Sequence, residues 1–360
     1  MTAAIVVIVV LLALAWANGA NDVAKGVATL TGSGMSSAAR AIMWGTACTL
    51  IGGLAAAVWG AALVSTFSSG FLAADFPVTI GFVGGVVVGA AAWVLLATRF
   101  GLPVSTTHAL LGGIVGTVLV LAGPEGLRTA AVANKALLPL LLSPLLAIAL
   151  CWMLLLLARF VEKKIPAWRP GCCEREDWQH NPFVCAEDQQ AVPAPIAQRV
   201  LIVLHWLSSG ATSFARGLND VPKIAAFLIL VLALVPALPF SASDPVWPIV
   251  AVAVVMGLGG LWGGMRVLRV LAHRVSPLDS TRGLMANVST SLLVLAATPL
   301  GLPVSTTHVS TGALMGVRWS EGIKPQQGDA LKLILFGWLI TLPVAGGFAA
   351  TSAWLFQTIG

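Results

Sequence analysis

The sequence predicts an all-α integral membrane protein that consists of two inverted repeats of transmembrane helices, with re-entrant or broken helices in each. Three observations support this fold class. Hydrophobic residues make up 58% of the 360 residues and charged residues only 9%, whereas soluble domains average roughly a half and a quarter. Apolar runs of about 20 residues, the length that crosses a bilayer, recur along the chain. Two short polar motifs each occur twice, in the same order.

The apolar runs are the candidate membrane-spanning segments. They are rich in Leu, Val and Ala and lack the alternation of polar and apolar residues that is typical of a transmembrane barrel. Helices are therefore expected, because a helix satisfies its own backbone hydrogen bonds in lipid. The first run contains no Lys or Arg, so we expect a membrane helix rather than a cleaved signal peptide. The runs cover residues 1–17, 41–64, 78–98, 136–158, 201–215, 224–240, 246–268, 283–298 and 331–356.

Residues 159–199 form the longest polar segment, and we predict that they are a cytoplasmic linker loop. The positive-inside rule places its many Lys and Arg residues on the cytoplasmic side. The net charge of +6 indicates the same bias rather than a nucleic-acid surface. Cys172, Cys173, His180 and Cys185 lie in this loop. They include no CxxC pair, so we predict reduced thiols and no metal site.

Two motifs indicate an internal duplication. GANDVAKG at residues 19–26 returns as GLNDVPKI at residues 217–224, and GLPVSTTH at residues 101–108 returns unchanged at residues 301–308. Because both motifs return in the same order after about 200 residues, the two halves of the chain are repeats of one another.

Duplicated halves with polar, broken segments at matching positions are typical of secondary transporters, whose substrate binds near the bilayer midplane between the halves. We therefore predict a first repeat over residues 1–158 and a second over residues 200–360, inverted relative to each other. Residues 18–34 and 101–122 are the candidates for re-entrant helices.

The repeated octapeptide has the chemistry of an oxyanion site. Gly101 and Pro103 end one helix, and the apolar run after the hydroxyl residues predicts the start of another. A helix N-terminus offers unpaired N–H groups and a partial positive charge. Two copies would surround a tetrahedral anion from opposite sides, while the simpler alternative is that each cluster only caps its helix. The candidate anion ligands are Ser105, Thr106, Thr107, Ser305, Thr306 and Thr307.

The second repeated motif places ionisable side chains at membrane depth, where they are energetically unfavourable and indicate a functional site. An Asp and a Lys three residues apart on a helix can pair, so one interpretation is an internal salt bridge. In the other, Asp22 and Asp220 bind the driving cation or a substrate proton, and the Asn amides contact the anion. The two interpretations are compatible. The matched residues are Asn21, Asp22 and Lys25 in the first repeat and Asn219, Asp220 and Lys223 in the second.

Three further side chains have open assignments. His108 and His308 end the octapeptides; each can bond a neighbouring backbone group or act as a proton carrier, because an imidazole titrates near neutral pH. Arg216 replaces Asn18 of the first repeat beside the second motif. Its guanidinium can contact the anion in a bidentate manner or extend to a lipid headgroup.

With these motifs the chain resembles the inorganic phosphate transporter (PiT) family of secondary transporters. The GANDVAN-type signature of that family is matched by GANDVAKG and GLNDVPKI, and its PVSTTH signature at residues 103–108 and 303–308. The resemblance implies two inverted repeats, a midplane phosphate site, coupling to Na⁺ or H⁺, and a homodimer. It also implies that the six hydroxyl residues hold the anion, and that the Asn and Asp residues of both motifs contact the cation and phosphate.

The chain departs from the sodium-coupled members of that family at three positions. Lys25 and Lys223 stand where those members have a second Asn, and residue 222 is Pro. An ammonium group cannot coordinate Na⁺, and it could occupy the cation's position as a tethered substitute. We therefore predict coupling to H⁺ rather than Na⁺, and no other cofactor.

Phosphate is the predicted substrate, and sulfate is the alternative. Phosphate near neutral pH can donate a hydrogen bond to a carboxylate, whereas sulfate has no proton to donate. If Lys25 and Lys223 neutralise Asp22 and Asp220, that discrimination weakens. Sulfate therefore stays open as a substrate.

Other classes of protein fit the pattern less well. An anion channel does not require the buried Asp–Lys pairs. A hydrolase built on Ser105 and His108 would have poor triad geometry, because the two side chains are only three residues apart on one short turn. We predict a transporter and no enzyme, located in the inner (plasma) membrane with several passes through the lipid bilayer. The sequence contains no nucleotide-binding GxxxxGK[ST] pattern, so ATP is not expected to drive it directly.

Overall fold

The computed structural model describes residues 1–164, 184–187, 190–193, 196–236, 246–274, 278–320 and 328–359. Nearly all of these residues are helical. Of the four possible soft ligands in the predicted linker, Cys172, Cys173 and His180 lie outside the described residues. Cys185 lies in a short strand.

Residues 1–164 contain seven α-helices. Between them lie two π-helical segments, at Thr66–Gly70 and Val132–Leu137, and a 3₁₀ turn at Pro124–Gly126. The helices are α1 (Thr2–Gly32), α2 (Ala38–Trp59), α3 (Ala61–Ser65), α4 (Ile80–Arg99), α5 (Thr106–Ala122), α6 (Thr129–Ala131) and α7 (Leu138–Lys164).

The second half follows a two-stranded antiparallel hairpin, β1 (Val184–Glu187) and β2 (Gln190–Pro193). Its helices occur in an order similar to that of the first half. They are α8 (Ile196–Leu234), α9 (Val246–Gly263), α10 (Met265–Arg274), α11 (Ser280–Ala297), α12 (Thr306–Trp319) and α13 (Gly328–Ile359).

Among the described residues, seven helical segments are long and apolar enough to cross a membrane, which confirms the multi-pass all-α prediction. Large apolar side chains such as Leu141 and Leu339 are at least 70% exposed, as expected of helices that face lipid. The seven segments are Thr2–Gly32, Ala38–Trp59, Ile80–Arg99, Thr129–Lys164, Ile196–Leu234, Val246–Gly263 and Leu335–Thr358.

The structure corrects two predictions about helix breaks. Residues 18–32 continue α1 without interruption, so residues 18–34 do not form a separate re-entrant helix. The apolar run at 201–215 and the first part of the run at 224–240, as far as Leu234, belong to one helix, α8, which continues through Pro222. The polar residues between the two runs bond to other segments of the chain, as described below, so they do not break α8. The break predicted at Gly101 and Pro103 is present between α4 and α5.

The two halves interlock through their helices. α1 packs against α9 and α2 against α8, and α1 and α8 contact each other. The last long helix of each half joins the other half: α7 packs against α11 and α12, and α13 against α4 and α5. The division into repeats at residues 158 and 200 stays a prediction; those limits lie inside α7 and α8.

Glycines allow the helices of the two halves to approach closely. A Cβ at Gly112 or Gly116 of α5 would collide with the carbonyl oxygen of Leu342 or Gly346 on α13. The same relation holds in the other half, where a Cβ at Gly312 or Gly316 of α12 would lie 2.7 Å from a carbonyl oxygen of α7. These contacts fix the positions of α5 and α12, which begin with the repeated hydroxyl residues.

Candidate anion and cation site

The octapeptides form two equivalent breaks between helices. The N–H of Gly101 donates to the carbonyl oxygen of Thr98 (3.0 Å), and the N–H of Leu102 donates to that of Ala97 (2.9 Å). This pair of bonds is typical of a helix C-terminus that is followed by a residue with a positive φ. Gly101 is that residue, with φ +70°. Gly301 has φ +64° and the same bonds. A short extended stretch then leads into α5 or α12.

Both serines of the octapeptides cap the helices that follow. The Ser105 hydroxyl accepts a hydrogen bond from the N–H of His108 at 3.2 Å, and Ser305 accepts one from His308 at the same distance. Capping is the simpler of the two predicted roles, and it does not occupy the hydroxyl hydrogen of Ser305.

These caps predict a measurable loss of stability. Ser105→Ala and Ser305→Ala together are expected to lower the free energy of unfolding by about 2 kcal/mol, about 1 kcal/mol for each cap. The measurement is thermal or denaturant unfolding in detergent micelles. Ser105→Thr and Ser305→Thr are the matched controls, because threonine also caps a helix. Equal stability of the alanine and threonine proteins would contradict the capping role.

The asparagines of the second motif hold the extended stretches in place. Asn21 of α1 donates to the carbonyl oxygen of Leu102 (2.8 Å) and accepts from the N–H of Val104 (3.2 Å). Asn219 of α8 donates to the carbonyl oxygen of Val304 at 3.2 Å. Each amide therefore replaces a backbone partner that the broken helix lacks.

Each lysine ammonium lies among oxygen atoms. Lys25 pairs with the Asp22 carboxylate and donates to the carbonyl oxygen of Val104 at 3.2 Å. Lys223 bonds the Asp220 carboxylate at 3.2 Å, the carbonyl oxygen of Val304 at 3.0 Å and the Thr107 hydroxyl at 2.8 Å. The salt bridges predicted from the spacing are therefore present. Carboxylate, carbonyl and hydroxyl oxygens are also the ligands that hard cations prefer.

Several contacts join the two octapeptides at one place. The Thr307 hydroxyl donates to the carbonyl oxygen of Val104 at 2.7 Å, and that of Thr107 donates to Val304 at 3.4 Å. The Thr306 hydroxyl lies 3.5 Å from Asp22 and 3.4 Å from Asp220. The structure thus brings the hydroxyl residues and the carboxylates of both halves together.

The whole site is enclosed by protein. None of the predicted site residues of the two motifs is more than 8% exposed. A cavity of about 390 Å³ lies beside it, lined in part by Thr98, Arg99 and Arg266. Thr98 also accepts a hydrogen bond from the Asn21 amide at 3.1 Å. The cavity therefore adjoins the first half of the site and carries positive charge.

The two histidines meet between the halves. Their ring centroids are 4.4 Å apart, and the His308 ring lies 4.0 Å from that of Trp338. His108 Nδ1 is 2.9 Å from the Ser105 hydroxyl, and His308 Nδ1 is 3.1 Å from the carbonyl oxygen of Leu140. His308 Nε2 is buried without a hydrogen-bond partner.

Two threonines that were not predicted from the sequence also support the site. Thr98 bonds Asn21, and Thr298 lies 3.4 Å from Asn219. The dipeptide Ala-Thr precedes both octapeptides at the same distance, so extending the repeat alignment by a few residues would have found them. Trp338 belongs to α13, and no sequence signal places that helix beside His308.

The chain is similar along most of its length to proteins named as phosphate transporters. A protein of Mycobacterium leprae named as a probable low-affinity inorganic phosphate transporter is 28% identical, over 99% of this chain and 78% of its own length. A protein of Thermococcus kodakarensis named as a phosphate permease is 27% identical, over 99% of this chain and 97% of its own length. A solved structure titled as the sodium-dependent phosphate transporter has a similar fold, with a TM-score of 0.81, 24% identity and full coverage of both chains.

The family assignment follows from a match over most of the chain. Residues 18–349 match the phosphate transporter family, a range that contains both copies of both motifs. Members of this family are transporters and not enzymes, so the hydrolase alternative is excluded. The chain belongs to the phosphate transporter family.

Proposed function

We propose that the protein moves inorganic phosphate across the membrane by symport with H⁺, without a requirement for Na⁺. The anion would bind near the bilayer midplane, between two repeats inverted relative to each other. The observation that carries the proposal is that two lysine ammonium groups lie in oxygen-lined positions that resemble cation sites.

The lysines support independence from Na⁺. The oxygen atoms around Lys223 Nζ come from Asp220, Val304 and Thr107, and all three lie within 3.2 Å. An ammonium at this position neutralises the carboxylate and uses the same oxygens that a bound Na⁺ would need. A fixed cation cannot be released on the other side, so the driving ion has to be a different one.

The donors for phosphate come from both halves. The first backbone bond inside α5 runs from the N–H of Ala109 to Ser105, so the N–H groups of Thr106 and Thr107 precede the intrahelical ladder. Thr306 and Thr307 have the same position on α12. These N–H groups, the positive ends of two helices and the threonine hydroxyls form an oxyanion site. Ser305 adds its hydroxyl hydrogen.

Transport would proceed by alternating access. The described state is closed around the site, and the cavity beside Thr98 supports a route from one side of the membrane. Anion and proton enter together, and their mutual neutralisation lowers the free energy of moving them past lipid. His108 and His308, with Asp22 and Asp220, are the candidate proton carriers. The homodimer implied by the family resemblance stays a prediction.

Uptake by reconstituted vesicles tests the coupling ion. Labelled phosphate uptake is expected to persist when Na⁺ is replaced by choline, to rise with an alkaline interior, and to fall to equilibration when an uncoupler removes the pH gradient. Lys25→Asn with Lys223→Asn opens the oxygen-lined positions, so any remaining uptake is expected to depend on Na⁺. Lys163→Asn, at the exposed end of α7, is the matched control. Loss of wild-type uptake in choline would contradict the proposal.

Sulfate is the second candidate, because Lys25 and Lys223 do pair with the two carboxylates that would repel it. A competition arm with sulfate, arsenate and molybdate distinguishes the two anions. Phosphate as the substrate predicts strong competition by arsenate and little by sulfate.

A further inference from the structure

We propose that Arg216 is a ligand of the transported anion and that its charge adapts the site to a singly charged oxyanion. This inference rests on the proposed function and names a residue and a charge state that the function does not itself require. It is carried by buried polar atoms of Arg216 and Asn18 that lack hydrogen-bond partners in the described structure.

Arg216 lies on the face of α8 that carries the second motif. Residues 216, 219, 220 and 223 follow the spacing of one helical face. The side chain is 2% exposed, and Asp220 lies one helical turn further along the same face. The guanidinium is therefore buried on the face of α8 that carries Asp220, and it does not reach a lipid headgroup.

Two of the three guanidinium nitrogen atoms of Arg216 have no hydrogen-bond partner among the described residues. Nη2 donates to the Thr49 hydroxyl at 2.8 Å, whereas Nε and Nη1 are buried with no hydrogen-bond partner. A buried N–H group without a partner is unfavourable, and more so when it carries charge. An oxyanion beside Arg216 would satisfy these donors with charge-assisted bonds.

The equivalent residue of the first repeat offers the complementary group. The Asn18 amide nitrogen donates to Thr106 at 2.8 Å and to Asp22 at 3.3 Å. Its carbonyl oxygen, Oδ1, is buried without a partner. An acceptor of this kind needs a donor, which a protonated oxyanion has and sulfate lacks. The Arg216 donors and the Asn18 acceptor together match an anion that still carries a proton.

The charges of the site lead to the same ligand. Asp22 and Asp220 supply two negative charges, and Lys25, Lys223 and Arg216 supply three positive charges, all at most 4% exposed. The only other buried charged side chain among the described residues is that of Arg318, about 18 Å along α12 from Thr306 at 1.5 Å per residue. With both carboxylates ionised, before the coupling proton binds, one positive charge is therefore left uncompensated. A dihydrogen phosphate ion neutralises it, whereas a dianion would reverse it.

The test combines competition with substitution in the full-length protein reconstituted into vesicles. For the wild-type protein, arsenate is expected to compete with labelled phosphate at similar concentrations, and a hundredfold excess of sulfate to leave uptake nearly unchanged. Arg216→Gln is expected to raise the KM for phosphate about tenfold to a hundredfold, the effect of losing charged hydrogen bonds. Arg216→Lys keeps the charge, so its KM for phosphate is expected to lie between those of the wild-type protein and Arg216→Gln.

Controls separate a ligand from a structural arginine. Arg318→Gln removes another buried arginine and is expected to leave the KM within about twofold of wild type. If Arg216→Gln fails to fold, the KM of Arg216→Lys still tests the ligand assignment, and competition by arsenate and sulfate in the wild-type protein still tests the charge assignment. An unchanged KM in folded Arg216→Gln, or in Arg216→Lys where Arg216→Gln does not fold, overturns the ligand assignment. Competition by sulfate equal to that by arsenate overturns the charge assignment. Absence of phosphate uptake by the wild-type protein would instead refute the proposed function.

Discussion

Asp220→Asn, with Lys223 left in place, is expected to lower the free energy of unfolding by about 3–5 kcal/mol and to abolish phosphate uptake. Asp220 is 2% exposed and pairs with Lys223. Removing one partner leaves a buried ammonium without a counter-charge, and this penalty is larger than the net stabilisation by the intact pair. The substitution also raises the net charge of the site, which already holds one excess positive charge.

The double variant Asp220→Asn with Lys223→Met separates stability from transport. Because both charges are removed, stability is expected to recover most of the loss, while uptake stays absent. Asp279→Asn is the matched control at a partly exposed pair, because Asp279 pairs with Arg282 at the same spacing and their side chains are 11% and 33% exposed. Asparagine still caps a helix, so a loss below about 1 kcal/mol is expected. Thermal unfolding in detergent measures the stability of all three variants. A loss in Asp279→Asn as large as that in Asp220→Asn would contradict the penalty expected for the unpaired buried ammonium.

Gly217→Ala is expected to destabilise the protein by about 3 kcal/mol, the upper part of the range for overpacking. Gly217 lies where α8 crosses α2, three residues before Asp220. A Cβ there would collide with the carbonyl oxygen of Thr49 and lie 2.8 Å from the Gly53 nitrogen. Both obstacles are backbone atoms, so no side-chain rotation can relieve the contact and the two helices have to separate. Thr49, which accepts the Arg216 hydrogen bond, would move with α2.

A glycine with open space around it is the matched control. At Gly347 of α13, nothing lies within 4 Å of the position that a Cβ would take. Gly347→Ala is therefore expected to be neutral or to stabilise α13 by up to about 1 kcal/mol, the difference in helix propensity between the two residues. Gly19→Ala, the equivalent of Gly217 in the first half, is expected to behave like Gly217→Ala because its Cβ would collide with Met256 of α9. Equal unfolding midpoints for Gly217→Ala and Gly347→Ala would show that the crossing is not tightly packed.

The sequence predicted those parts of the site that depend on local spacing. The break at Gly101 and Pro103 needs only a proline and a glycine before a new helix. The pairing of Asp22 with Lys25 needs only two side chains one turn apart. Both features occur in the structure, because a few neighbouring residues determine them.

The parts that were missed depend on contacts between distant segments. Residues 18–34 were predicted to be re-entrant because Asn21, Asp22 and Lys25 interrupt an apolar run. In the structure α1 continues through them, since bonds to Thr98, Leu102 and Val104 satisfy these side chains from more than 70 residues away. The packing of α13 beside α5, and of Trp338 beside His308, was equally invisible in the sequence.

The exchange of α7 and α13 between the halves has a consequence for the stability of each half on its own. A polypeptide with a single repeat would leave the small-residue surface of α5 uncovered, and its own last helix would have no partner to cover. In a pair of identical copies, the last helix of each copy would cover the exposed surface of the other. A polypeptide that contains one half alone is therefore expected to be stable only as a pair of entwined copies.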